Sequence, residues 1–180
     1  MAPIDLKLIP KPRAVAYLAG FFFFLGASAC AQAGLFSDPD PNWSEGEVSY
    51  PAPPAETSLR QFFVSAASAN RFYVDERTLT VGDDGVVRYV LVVRTPGGAE
   101  NVSFEGIRCA TGERRIYALG RADGEWSAAR RSEWERIVDN AYNRPRAALA
   151  FDYFCDGPAP PRSTEEALRA LSQDRRRATP

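Results

Sequence analysis

The sequence predicts an α+β domain: a single antiparallel sheet of about five or six strands laid out as a meander, C-terminal helices packed on one of its faces, and one disulfide. Three observations carry this. The stretch from Val86 to Ala122 reads as three consecutive strands joined by short turns, the hydrophobic period changes from two to three-and-four after Asn143, and two cysteines, Cys109 and Cys155, bracket that change. Connections this short join antiparallel neighbours and leave no room for the helical crossovers of parallel strands. Strands followed by helices, not alternating with them, are the α+β pattern.

At the N-terminus, Lys7, Lys11 and Arg13 precede an apolar run from Ala14 to Leu25, and small residues, ASACAQAG, follow. Basic, then apolar, then small is the order of a secretory signal peptide. The apolar run falls short of the roughly 20 residues of a membrane span, although an uncleaved anchor is the alternative. Ala31-Gln32-Ala33 before Gly34 suits ordinary cleavage, giving residues 1–33 as the signal peptide. Ala27-Ser28-Ala29-Cys30 is an imperfect lipobox, which makes Cys30 a lipidation candidate and residues 1–29 the leader. The expected location is the periplasm, with a lipid-anchored protein of the outer or inner membrane as the alternative.

Residues 34–58 are acidic and proline-rich without apolar periodicity, a composition that buries too little surface to offset its ordering entropy. They are read as a linker or loosely attached arm. Docking of Trp43, Val48 and Tyr50 as an extended strip is the other reading.

The folded part is expected at residues 59–157. Gln61–Ser65 and Arg71–Asp75 are aromatic-rich edge strands, and Thr78–Val81 leads through the Gly82–Gly85 hairpin loop into the central strand. From Val86 to Thr95, Val87, Tyr89, Leu91 and Val93 alternate with a face bearing Arg88 and Arg94. Val90 and Val92 share that arginine face, so its middle is expected to be covered. Pro96-Gly97-Gly98 turns the chain into a strand at Asn101–Cys109, and Thr111-Gly112 turns it into Arg114–Ala122. In this last strand Ile116 and Ala118 alternate with Arg115, Tyr117, Leu119 and Arg121, and Asp123-Gly124 closes it. Ser132–Val138 is a short helix or irregular cover. Asn143-Arg144-Pro145 opens a helix whose apolar face is Ala147, Ala148, Phe151, Phe154 and Cys155, ended by Gly157-Pro158. Residues 158–180 form a proline-rich link, a weakly apolar helix with Ser163 and Glu166 as a capping box, and the basic tail Arg175-Arg176-Arg177. That helix is expected to fray or sit apart.

Three cysteines in an exported chain divide into Cys30, removed or acylated at processing, and the pair Cys109 and Cys155, for which one connectivity exists. Two buried free thiols are the alternative. The chain contains no histidine, which excludes Ser-His and Cys-His nucleophiles and histidine-ligated metals. No phosphate-binding glycine loop is present. No catalytic, cofactor or metal residues are therefore assigned, and Asp83-Asp84 reads as a turn. The net charge is −1, and loss of the leader makes the chain more acidic, which argues against a nucleic-acid binder. The concentration of recognition chemistry is Arg88, Arg94, Arg108, Arg115 and Arg121, with Arg114 beside them. These arginines are expected either to hold an anionic partner or to pair across strands with Glu105 and Glu113.

At GIRCATGERRIYALGRADGEW, NRFYVDERTLTVGDDGVVRYVLVV and AALAFDYFC, residues 43–155 resemble the cryptic neisserial protein-like family of exported proteobacterial proteins. The resemblance implies an envelope domain and no catalytic residues. A fainter similarity to the surface-adhesin protein E family implies a sheet with a disulfide-tied helix and, by that likeness, dimerisation or host-protein binding. The expected function is a non-catalytic envelope binding module for an envelope protein or anionic ligand, touching the membrane only through a lipid anchor. A surface adhesin, a small-ligand carrier and an enzyme are the alternatives.

Overall fold

The structure, a computed structural model, describes residues 40–173. The expected signal peptide, Cys30 and the arginine tail lie outside the described residues. Eight strands form one antiparallel sheet: β1 (Leu59–Phe62), β2 (Arg71–Asp75), β3 (Thr80–Val81), β4 (Val86–Arg94), β5 (Glu100–Arg108), β6 (Glu113–Gly120), β7 (Trp126–Ala128) and β8 (Glu135–Arg136). The main path runs β1-β2-β4-β5-β6-β7. β2 and β3 lie end to end along β4, facing Leu91–Arg94 and Val87–Arg88 respectively. β7 and β8 divide the outer edge of β6 in the same way. The count exceeds the expected five or six because β7 and β8 are too short to show a period. Residues 132–138 form an irregular cover and no helix, with Ile137 buried in the core and β8 a two-residue pairing onto β6.

The alternation of β4 builds two cores. Val87, Tyr89 and Leu91 point to the helical side, where Phe62, Phe72, Val74, Leu79, Ile107, Leu149 and Phe154 are also buried. α1 (Arg144–Ala148) runs directly into a π-helical turn, Leu149–Phe154. Its entry is capped from upstream: the Tyr142 and Asn143 amides both donate to Asn140 Oδ1. Cys155 then leaves the turn in extended conformation and is bonded to Cys109, with the two Cα atoms 5.5 Å apart. α2 (Thr164–Gln173) does not sit apart as its weak apolarity suggested, since Ala167 and Leu171 are fully buried in this core. Two buried side chains suffice because the helix is short and meets the π-turn and β3 with a single face.

The opposite face holds a smaller core of Val90, Val92, Phe104, Tyr117 and Ala118. Its cover is the acidic arm, docked as the extended strip of the second reading and not as a loose tether. Val48 packs on the core, Tyr50 meets the Phe104 ring edge-on at 6.3 Å, and Trp126 Nε1 donates to Pro51 O at 2.7 Å. Composition misleads here because the arm makes no strand of its own. The sheet supplies the apolar surface and the arm contributes single anchors.

A bulge between Phe104 and Glu105 shifts the register of β5 against β6, so that Phe104 faces Ala118 while Glu105 faces Ile116. Tyr117 is the extra residue, and a bulge of this kind re-aims every side chain beyond it. Ala118 therefore joins Tyr117 in the smaller core, and Leu119 joins Ile116 on the helical side. The simple alternation expected for this strand fails at that point.

Candidate functional site

The re-aimed strand opens a groove on the helical side. Ser103, Ile116 and Leu119 from β5 and β6 form its floor, Ala141–Arg146 one wall, and the β1–β2 loop from Val64 to Asn70 the other. It encloses about 660 Å³ and mixes apolar lining (Phe72, Val93, Val102, Leu119) with polar groups (Asn70, Asn101, Ser103, Arg146). Leu119 is 48 % exposed and Tyr142 65 % exposed, so apolar side chains at the rim meet water.

Under this groove lies a buried ion pair. Glu105 has no solvent exposure and accepts from Arg146 Nε at 2.8 Å and Nη2 at 2.5 Å, from Ser103 Oγ at 2.5 Å and from Tyr89 Oη at 3.3 Å. Both carboxylate oxygens and two nitrogens of the guanidinium are thereby engaged, the bidentate arrangement that makes a buried pair tolerable. The third nitrogen, Nη1, donates to Tyr142 O at 3.1 Å, which ties the pair to the groove wall. Burial, and then the Glu105 charge, push the Tyr89 hydroxyl well above the ordinary tyrosine range, so it stays a donor. Burial opposes the charge on Arg146, but Glu105 more than offsets it and raises its pKa.

On the other face the arginines are held internally. Glu45, from the arm, accepts from Arg115 Nη1 at 2.5 Å, Arg88 Nη2 at 3.2 Å, Trp134 Nε1 at 3.2 Å and the Tyr117 hydroxyl. Asp84 accepts from Arg88 Nη2 at 2.5 Å and from the amides of Gly46 and Val86. Burial alone raises the pKa of Asp84, but the Arg88 guanidinium and those two amides outweigh it and hold it below its ordinary value. Burial and the Glu45 hydrogen bond both raise the pKa of Tyr117, keeping its proton in place for that bond.

The five predicted arginines therefore do not form one cluster. Arg88, Arg108 and Arg115 gather around the arm. Arg94 stands apart on Glu56 and Glu100, and Arg121 is an exposed hairpin residue 3.3 Å from Asp123. Arg114 points the other way and pairs with Glu135 at 2.8 Å. The cross-strand pairs expected for Glu105 and Glu113 are replaced by Arg146 and by the Thr111 hydroxyl. Arg146 and Glu45 went unsuggested by sequence reasoning. A signal for Glu105 was available, since Ser103, Glu105, Ile107 and Cys109 share one parity and the last two are core types.

Glu45→Ala should free the arm, because one carboxylate gathers four donors from β4, β6 and the segment before β8. The expected loss is about 2 kcal/mol, the scale of a hydrogen bond to a charged group, with a red shift of tryptophan emission during urea unfolding. An unchanged midpoint and spectrum would mean that the apolar contacts of Val48 and Tyr50 hold the arm unaided.

Among the described residues no group of three or more His, Cys, Asp or Glu side chains is arranged to hold a metal ion, and no helix is long and apolar enough to cross a membrane. Fold and site together define a strapped, disulfide-tied α+β domain with a mixed groove. The family model of the CNP1-like family matches residues 38–172, so the chain belongs to that family. It is 26 % identical over 102 residues to cryptic neisserial protein 1 of Neisseria gonorrhoeae (strain ATCC 700825 / FA 1090), covering 50 % of each chain. The chain thus spans about half the length of that curated relative. No solved structure matches it.

Proposed function

We propose that the protein is an exported, non-catalytic binding module of the cell envelope, and that it takes its ligand in the groove between β5–β6 and α1. The observation that carries this is the groove itself: about 660 Å³, within the range of small-molecule sites, with apolar walls and a few fixed polar groups. The Arg146–Glu105 pair beneath it immobilises the wall, and a rigid site loses less entropy on binding. The arginine face supports the role less well, since Glu45 and Asp84 already occupy Arg88 and Arg115. The absence of histidine in the whole sequence supports binding without catalysis.

The test uses 1-anilinonaphthalene-8-sulfonate as an amphipathic probe. Saturable one-to-one fluorescence enhancement is expected, and Ala141→Trp, an exposed wall position, should abolish it without lowering Tm. Enhancement that never saturates, or that survives Ala141→Trp, would remove the groove from consideration. Export is read separately from the intact mass of protein recovered from envelope fractions, which should begin at Gly34 or at an acylated Cys30. A mass that retains residues 1–29 excludes cleavage and leaves the uncleaved anchor, and recovery in the cytosolic fraction instead contradicts export.

A further inference from the structure

Around the arm, Glu45 and Asp84 pair with Arg88 and Arg115, and among the described residues no carboxylate forms an ion pair with Arg108. Its residue is 7 % exposed, its Nε is sealed from solvent without a partner, and no described residue accepts a hydrogen bond from its guanidinium. The cross-strand neighbour Glu113 accepts from the Thr111 hydroxyl at 2.6 Å and makes no ion pair with Arg108. What Arg108 does have is a ring: its guanidinium carbon lies 3.7 Å from the centroid of Trp43. Trp43 is fixed in turn by its Nε1 bond to Asp84 O at 2.8 Å and by the edge of Trp134 at 5.9 Å.

A largely buried guanidinium that no described carboxylate contacts is unfavourable, and stacking on an indole offsets part of that cost while leaving in-plane N–H donors unused. Stacking also sets the plane of the fork and removes the rotamer freedom that a bidentate contact would otherwise have to freeze.

We propose that Arg108, clamped by Trp43, is an anion site that accepts a phosphate or carboxylate oxyanion through the edge of its guanidinium. The anion engages in-plane donors of Arg108 that no described carboxylate reaches. The site is on the opposite face from the groove and stands or falls independently of it.

The experiment titrates the full chain with inorganic phosphate at constant ionic strength set by chloride, read by calorimetry and by tryptophan fluorescence. A second arm compares phosphatidylglycerol with phosphatidylcholine vesicles, which separates a free oxyanion from a lipid headgroup. Saturable phosphate binding weakened at least tenfold in Arg108→Met is the expected result. Vesicle binding that needs both phosphatidylglycerol and Arg108 also supports the site and assigns its source. Should Arg108→Met fail to fold, Arg108→Lys keeps the charge but not the fork and should weaken phosphate several-fold. No binding in either arm, or binding equal in wild type and the Arg108 variants, overturns the proposal.

Discussion

Replacing Arg146 with methionine should cost about 3–5 kcal/mol of folding stability, the range for removing one partner of a buried ion pair. The reason is what stays behind. Glu105 is wholly buried on the middle strand of the sheet, and without Arg146 it retains only the Ser103 and Tyr89 hydroxyls as donors. Two neutral hydrogen bonds do not offset the desolvation of a carboxylate. The double variant Glu105→Leu/Arg146→Met should recover most of the loss, because replacing both charges by apolar groups of similar volume is often neutral or better. Urea denaturation of the two single variants and the double variant measures this directly. A single-variant loss under about 1 kcal/mol, near the value of a surface pair, would show that Glu105 finds water or a proton where the structure shows a sealed core.

Removing the disulfide is the second large effect. Cys109 and Cys155 are 46 residues apart in sequence, and on the chain-entropy estimate closing such a loop is worth about 4 kcal/mol. Cys109→Ala/Cys155→Ala should therefore lower Tm by on the order of 15 °C, and reduction of the wild type should reproduce that change. The loss has a location as well as a size. Cys155 is the first residue beyond the π-turn, so the turn and the wall of the groove above it should gain amide exchange before β4 and β5 do. A reduced protein with an unchanged midpoint would mean that Leu149 and Phe154 hold the turn by packing alone.

The parts of this fold that were legible in the sequence are those with a local signal. The meander, its turns, the helix at Arg144-Pro145 and the cysteine pair each follow from residues within one element or from elimination. The helical side of β4 followed from alternation, and so did the need for cover over Val90 and Val92. What covers them was not legible. A strand pattern states that a face is apolar, but the covering arm shows no periodicity of its own, and its anchors (Trp43, Glu45, Val48, Tyr50) are scattered among prolines. The bulge at Tyr117 was equally silent, because it depends on how β6 meets Phe104 and not on any residue preference within β6. It decides the site, since without it Leu119 would face the arm and the groove would lose its floor. The arginines illustrate the same limit. Their number and spacing are visible in the sequence, but whether a guanidinium is free depends on carboxylates far along the chain, such as Glu45.

The two flanks of the sheet, each divided into short strands, have a consequence for self-association. A long bare ladder of amides and carbonyls invites another chain to add itself as a further strand. Here β1 offers four residues and β7 and β8 offer three and two, set end to end with a break between them. Such margins template little, so a second copy that recognises this domain has to do so through side chains and not by extending the sheet.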